Sequence, residues 1–161
     1  MYSSELINPE ESIILLVDDL KQNLKLLTFI LEAENYQTSF ALSGKDALER
    51  LNVLKPDLIL LDLMMPDMSG LEVCEKVKSD PRYQDIPIIF LTASQEENHL
   101  VDAYKLGACD YVTKPFKKPE LLARISTQLT LQNQTKLIKK LQEEIEYLKK
   151  EKLLLIQKNS I

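Results

Sequence analysis

Four apolar runs in this chain each end on polar residues suited to phosphoryl chemistry. Ile13-Ile14-Leu15-Leu16-Val17 precedes the acid pair Asp18-Asp19, and Leu58-Ile59-Leu60-Leu61 precedes Asp62. Ile88-Ile89-Phe90-Leu91 precedes Thr92, and Cys109-Asp110-Tyr111-Val112-Thr113 precedes Lys114-Pro115. Three carboxylates gathered in one crevice repel one another unless a cation sits among them. A hard divalent ion held by carboxylates, waters and phosphate oxygens relieves that repulsion, and Mg2+ is the commonest such ion in cells. A phosphoryl donor held there lies in line with a carboxylate nucleophile, as in aspartyl-phosphate chemistry. Asp62, central and singly placed, is the candidate nucleophile. Lys114 offers a fixed positive charge to the phosphoryl oxygens, and the Thr92 hydroxyl offers a short donor.

The residues between these runs must position them. Leu24, Leu27, Phe29, Ile30 and Leu31 recur at helical spacing until Glu34-Asn35, where Asn suits a helix stop. Tyr36–Ala41 is β-prone and weakly alternating, as suits a sheet edge. Ser43 caps a helix running through Leu54, with Lys55-Pro56 ending it. Pro66-Asp67-Met68-Ser69-Gly70 reads as a loop before a helix that ends near Ser79-Asp80-Pro81. Ser94 and Glu97 form a capping box for a helix closed by Gly107, and Pro119 suits the first turn of a last helix. This (βα)5 order with near-continuous apolar strands predicts an α/β fold, a doubly wound parallel sheet in strand order 2-1-3-4-5. The C-terminal ends of strands 1, 3, 4 and 5 then line one crevice, and Asp18, Asp19, Asp62, Thr92 and Lys114 converge there.

Composition narrows the function classes. The chain has 161 residues, 45% hydrophobic and 28% charged, enough for one domain of about 120 residues plus an appendage. No run approaches the roughly 20 apolar residues that cross a bilayer, and Met1-Tyr2-Ser3-Ser4-Glu5 lacks a signal-peptide layout, so a cytoplasmic protein without membrane contact is expected. A net charge of -5 argues against nucleic acid as a partner. Cys74 and Cys109 lie in apolar patterns and read as reduced packing residues. His99, the one histidine, reads as a surface residue.

Singly, each motif has a plainer explanation. An acid pair after a strand favours a helix N-terminus, a Thr there is a turn or cap residue, Lys-Pro is a surface turn, and Tyr111 is core edge. The joint pattern carries the functional reading. Leu15-Leu16-Val17-Asp18-Asp19, Leu60-Leu61-Asp62-Leu63-Met64-Met65-Pro66-Asp67-Met68-Ser69-Gly70, Leu91-Thr92-Ala93, Gly107-Ala108 and Tyr111-Val112-Thr113-Lys114-Pro115-Phe116 together resemble the response-regulator receiver domains of bacterial two-component signalling, over residues 12 to 130. The resemblance implies a flavodoxin-like fold and a phosphoprotein whose Asp62 accepts phosphate from the phosphohistidine of a partner histidine kinase or phosphotransfer protein. It implies Mg2+ held by Asp18, Asp19, Asp62 and the backbone carbonyl of Met64, with Thr92 and Lys114 binding the phosphoryl group. Tyr111 then changes rotamer as Thr92 moves, and the Lys114-Pro115 bond is cis. Such a domain catalyses its own phosphoryl transfer and dephosphorylation and turns over no separate substrate. Leu20 departs from the polar residue common after the acid pair. Met64 and Ser94 stand where the family tunes phosphate lifetime, which points to slow or shielded hydrolysis.

Residues 1 to 11 form an N-terminal arm, and residues 131 to 161 a coiled-coil helix extending the last receiver helix. Leu131, Ile138 and Ile145 recur every seven residues, and Leu141, Leu148 and Leu155 follow three positions later. Ile at a and Leu at d favours a parallel homodimer through residues 131 to 157. Lys152 breaks the a row, Gln134 weakens the first d, and Glu144 at g can pair with Lys149 at the next e. An amphipathic helix folded onto its own domain is the alternative, and the narrow stripe favours the coil. The whole reads as a phosphorylation switch acting through this helix, either as a fragment of a longer regulator or by binding partners directly. A dehalogenase-like phosphatase needs a second acid where Met64 stands. A flavodoxin-like cofactor binder needs a phosphate loop where Asp18-Asp19 would repel it. The stronger rival is a degenerate interaction module without phosphate turnover.

Overall fold

The computed structural model describes residues 8–93, 97–108 and 110–160, with residues 97–100 as backbone only. Five strands, β1 (Ile13–Val17), β2 (Gln37–Ala41), β3 (Leu58–Asp62), β4 (Ile88–Ala93) and β5 (Asp110–Lys114), alternate with five helices. The helices are α1 (Lys21–Glu32), α2 (Gly44–Leu51), α3 (Gly70–Ser79), α4 (Glu97–Lys105) and α5 (Lys118–Asn159). All strand pairs are parallel, in the order β2-β1-β3-β4-β5. This is the doubly wound sheet that the alternation of runs and helix-period segments predicts.

The period-2 geometry of a strand divides each apolar run between two cores. Leu15, Val17, Ile59, Leu61, Ile88 and Phe90 face one side, under Ala47, Leu51, Val73, Cys74 and Val77 of α2 and α3. Ile14, Leu16, Leu58, Leu60, Ile89 and Leu91 face the other, under Leu24, Leu27, Ile30 and Leu31 of α1 and Leu121, Ile125 and Leu129 of α5. Both faces of the central strands are therefore dry, which is why the runs lack polar alternation. Cys74 is fully buried, a packing residue.

Asn35 adopts a left-handed conformation (φ 68°) just past α1, as its position suggested. The helix expected through Leu54 instead ends at Leu51, with Asn52 as its C-cap. The backbone is recruited there to start β3: Asp57 exchanges bonds with Ile13 through its own N–H and its Oδ2, each 2.8 Å. β5 begins at Asp110, and Lys114 is its last residue. The capping box at Ser94 and the reading of Cys109 lie outside the described residues, as does the side chain of His99. α5 continues unbroken beyond Leu129, its last buried residue, as a solvated helix to Asn159. Among the described residues, no helix is long and apolar enough to cross a membrane.

Candidate functional site

Strand register places the chemistry. Val17 pairs with Leu61, so the residues that follow, Asp18 and Asp62, are neighbours at the C-terminal edge of the sheet. Asp62 pairs with Leu91, just before Thr92, and Ala93 pairs with Lys114. The register therefore draws residues from four elements into one crevice, at the point where the strand order reverses. Among the described residues, Asp18, Asp19 and Asp62 each present an oxygen within 4.8 Å of the others.

Burial and hydrogen bonding distinguish the three carboxylates. Asp18 is fully buried, and its carboxylate accepts three hydrogen bonds. Its Oδ1 accepts from the Leu20 N–H (2.9 Å), and its Oδ2 accepts from Asn23 Nδ2 (3.0 Å) and Lys114 Nζ (3.2 Å). Asp19 is half-buried, while Asp62 is 5% exposed, with Oδ1 3.1 Å from Lys114 Nζ. Lys114 thus bridges the two buried carboxylates with one ammonium. One positive charge does not offset three negative ones. Burial pushes the Asp62 carboxyl up to about 6, with Asp18 adding to the rise and Lys114 opposing it. Burial alone would lower the Lys114 ammonium, but Asp62 and Asp18 together hold it above its ordinary value. The three oxygens and the residual negative charge fit a hard divalent cation such as Mg2+.

Thr92 is buried at the end of β4, and its hydroxyl donates to the Ala93 carbonyl at 3.0 Å. The Lys114-Pro115 peptide is cis. Tyr111 is half-buried on β5, edge-on to Tyr104 with ring centres 6.4 Å apart. Met64, two residues past Asp62, and Leu20, directly after the acid pair, are 54% and 57% exposed.

Sequence reasoning missed several supporting residues. Asn23, one turn into α1, fixes the Asp18 rotamer, and only its spacing from the acid pair hints at that. Gly70 is required by close approach: a Cβ there would lie 2.2 Å from the Asp62 carbonyl oxygen and 2.9 Å from the Leu63 Cα. With the Gly70 N–H bonded to the Leu63 carbonyl (2.9 Å), the loop that follows Asp62 closes onto the strand end. Arg124 of α5 grips Asp110 through two 2.8 Å bonds beside Tyr111, a pairing with no local sequence signal.

Residues 14–126 match the family model described as the response regulator receiver domain. The chain belongs to that family. The phosphate regulon transcriptional regulatory protein PhoB of Rhizobium meliloti is 42% identical over 116 residues, covering 72% of this chain and 51% of that protein. The DNA-binding response regulator MtrA of Mycolicibacterium smegmatis is 41% identical, covering 72% and 50%. This chain therefore spans about half the length of the curated relatives it matches. A putative response regulator from Chloroflexus aurantiacus shares the fold, with TM-score 0.71, 30% identity, and coverage of 73% of this chain and 97% of that one. The flavodoxin-like receiver architecture and the unbroken α5 extension are both present in this chain.

Proposed function

We propose that this receiver domain is a phosphoacceptor switch in a two-component relay, with Asp62 taking a phosphoryl group from the phosphohistidine of a partner histidine kinase or phosphotransfer protein. The observation that carries the reading is the Asp18-Asp19-Asp62 cluster bridged by Lys114 at the mouth of the sheet. Asp18, Asp19, Asp62 and the Met64 carbonyl would hold Mg2+, which when bound supplies charge neutralisation for the phosphoryl oxygens. An Asp62 oxygen attacks phosphorus as the phosphorus–nitrogen bond of the donor breaks, and the imidazole leaves with the electron pair. Lys114 then transfers its contact from the Asp62 carboxylate to a phosphoryl oxygen. Thr92 rotates away from the Ala93 carbonyl to donate to another, and Tyr111 of β5 moves into the space that Thr92 vacates on β4.

The output runs through α5. Leu131, Ile138, Leu141, Ile145, Leu148 and Leu155 are each 50–62% exposed. The helix face turned to the domain carries Lys136 and Lys139, paired with Asp57 (3.6 Å) and Asp85 (3.1 Å), on the opposite side from this stripe. An exposed heptad stripe on a helix tethered by its other face supports a parallel homodimer over a helix folded onto its own domain. Incubation with Mg2+ and a small acyl phosphate, followed by intact-mass measurement, tests the phosphoacceptor role. Wild type gains one phosphoryl group and Asp62→Asn gains none. An unmodified wild type would leave a constitutive interaction module as the better reading.

A further inference from the structure

We infer that Lys152, the charged residue in the a row of the α5 extension, holds a second copy of this chain in a parallel, in-register pair by reaching the carboxylate of the partner's Glu151. The inference rests on the homodimer proposed above and assigns what fixes its orientation.

An ammonium at an a position lies between two apolar stripes and is stable only where its stem packs along them and its head finds an anion at the rim. In a parallel pair the rim beside each a residue carries the g residue of the partner. For Lys152 that residue is the partner's Glu151. The usual counterpart of Glu151 across such a seam is an e residue, and here it is Ile156, which offers no charge. Glu151 is thus left free of a g–e pair, and the Tyr147 hydroxyl donates to its Oε1 at 3.2 Å along its own helix, steadying it at the rim. One heptad earlier, Glu144 at g meets Lys149 at e, the complementary pairing of the same arrangement.

An antiparallel pair reverses this logic. Lys152 would then face an apolar d residue, and g positions would meet g positions, so that the glutamates gather on one rim. A trimer or tetramer would place several ammonium groups on a closed axis, away from the rim glutamates. Lys152, which appears in the sequence as a defect in the stripe, selects two strands and one register.

The test is sedimentation equilibrium of the full chain over a range of concentrations. Wild type forms a dimer. Glu151→Lys turns two symmetry-related attractions into repulsions and raises the dissociation constant about tenfold, while Glu151→Lys with Lys152→Glu returns it to within about threefold of wild type. Tyr147→Phe leaves it unchanged to within about threefold. Lys152→Ile tightens association, because a buried ammonium no longer interrupts the apolar a row. Oxidation of Leu155→Cys, with wild type treated identically, links the two copies in a parallel pair. A dimer indifferent to Glu151→Lys and Lys152→Ile, or one that Leu155→Cys fails to link, overturns this inference and leaves the dimer standing. A chain monomeric at every concentration overturns both. Phosphoryl uptake by Asp62, read separately by mass, is independent of either result.

Discussion

The guanidinium of Arg124 lies 5.8 Å from the centre of the Tyr111 ring, held there by two 2.8 Å bonds to Asp110 at the start of the same strand. Glu120, one turn earlier on α5, adds a third contact at 3.3 Å. The Tyr111 ring is therefore in contact with a side chain of α5, the helix proposed to carry the output.

Arg124→Ala removes a charge-assisted contact in which Nη1 is shared between the two Asp110 oxygens, and a cation–π contact, at a partly exposed site. A loss of about 1 kcal/mol is expected, because solvent screens much of the attraction. Arg124→Lys recovers less than half of that, since one ammonium cannot hold Asp110 and Glu120 through two separate nitrogens, as Nη1 and Nε do, while keeping a planar group against the Tyr111 ring. Urea unfolding of the three proteins checks the order, and equal midpoints for Ala and Arg would refute it.

The position of Lys114 makes a stronger demand. Its ammonium is the cation shared by Asp18 and Asp62 among the described residues, so Lys114→Gln leaves two buried carboxylates facing each other. Truncating one partner of a buried charge network costs about 3 kcal/mol without metal at neutral pH. Mg2+ recovers part of that loss by replacing the missing charge. Chemical denaturation with and without Mg2+ reads both effects.

Burial holds the folded carboxyl of Asp62 up at about 6, against an ordinary 3.8. The folded state therefore keeps a proton that the unfolded chain releases, and it is favoured while that proton is bound. The contribution is complete below pH 3.8 and is lost as pH rises through about 6. In metal-free protein, the stability difference between wild type and Asp62→Asn should widen over that window, with wild type the weaker at pH 7. Saturating Mg2+ should narrow the gap at pH 7, where the site is ionised, and do little at pH 4. Paired thermal melts across that range test it, and a pH-independent difference would exclude it.

The sequence disclosed the sheet order and the convergence of the five site residues because both follow from where apolar runs stop. A strand that ends in Asp or Thr announces which edge is polar, and the parallel register does the rest. What it could not disclose depends on approach between distant segments. Nothing local to Gly70 says that a carbonyl passes 2.2 Å from its missing Cβ, and nothing local to Arg124 names Asp110. Pro56 marks only the latest possible stop for α2, whereas the helix ends at Leu51 and leaves the chain free to reach the start of β3.

Gly70→Ala tests the close approach directly. The clash is with backbone on both sides, Asp62 oxygen and Leu63 Cα, so no side chain can swing away to relieve it. The substitution should cost about 1–3 kcal/mol and displace the loop that carries Met64, lowering Mg2+ affinity along with stability. Calorimetric Mg2+ titration at a temperature where the variant is fully folded separates the two losses, and an unchanged affinity would show that the loop position is not what holds the ion.

Met64, in that loop two residues past Asp62, is 54% exposed, and Leu20, directly after Asp18-Asp19, is 57% exposed. Two apolar side chains at the mouth of a phosphoryl site hinder water without offering it a hydrogen bond, so an acyl phosphate on Asp62 should be long-lived. Met64→Asn replaces a hydrophobic flank with a side chain that can orient a water molecule, and hydrolysis should accelerate about tenfold while the Mg2+ requirement is unchanged. That acceleration corresponds to roughly 1.4 kcal/mol of barrier, the size of one good hydrogen bond to the attacking water. Decay of the phosphorylated species followed by intact mass settles the point: equal half-lives for Met64 and Asn would mean that access to the phosphorus is controlled elsewhere.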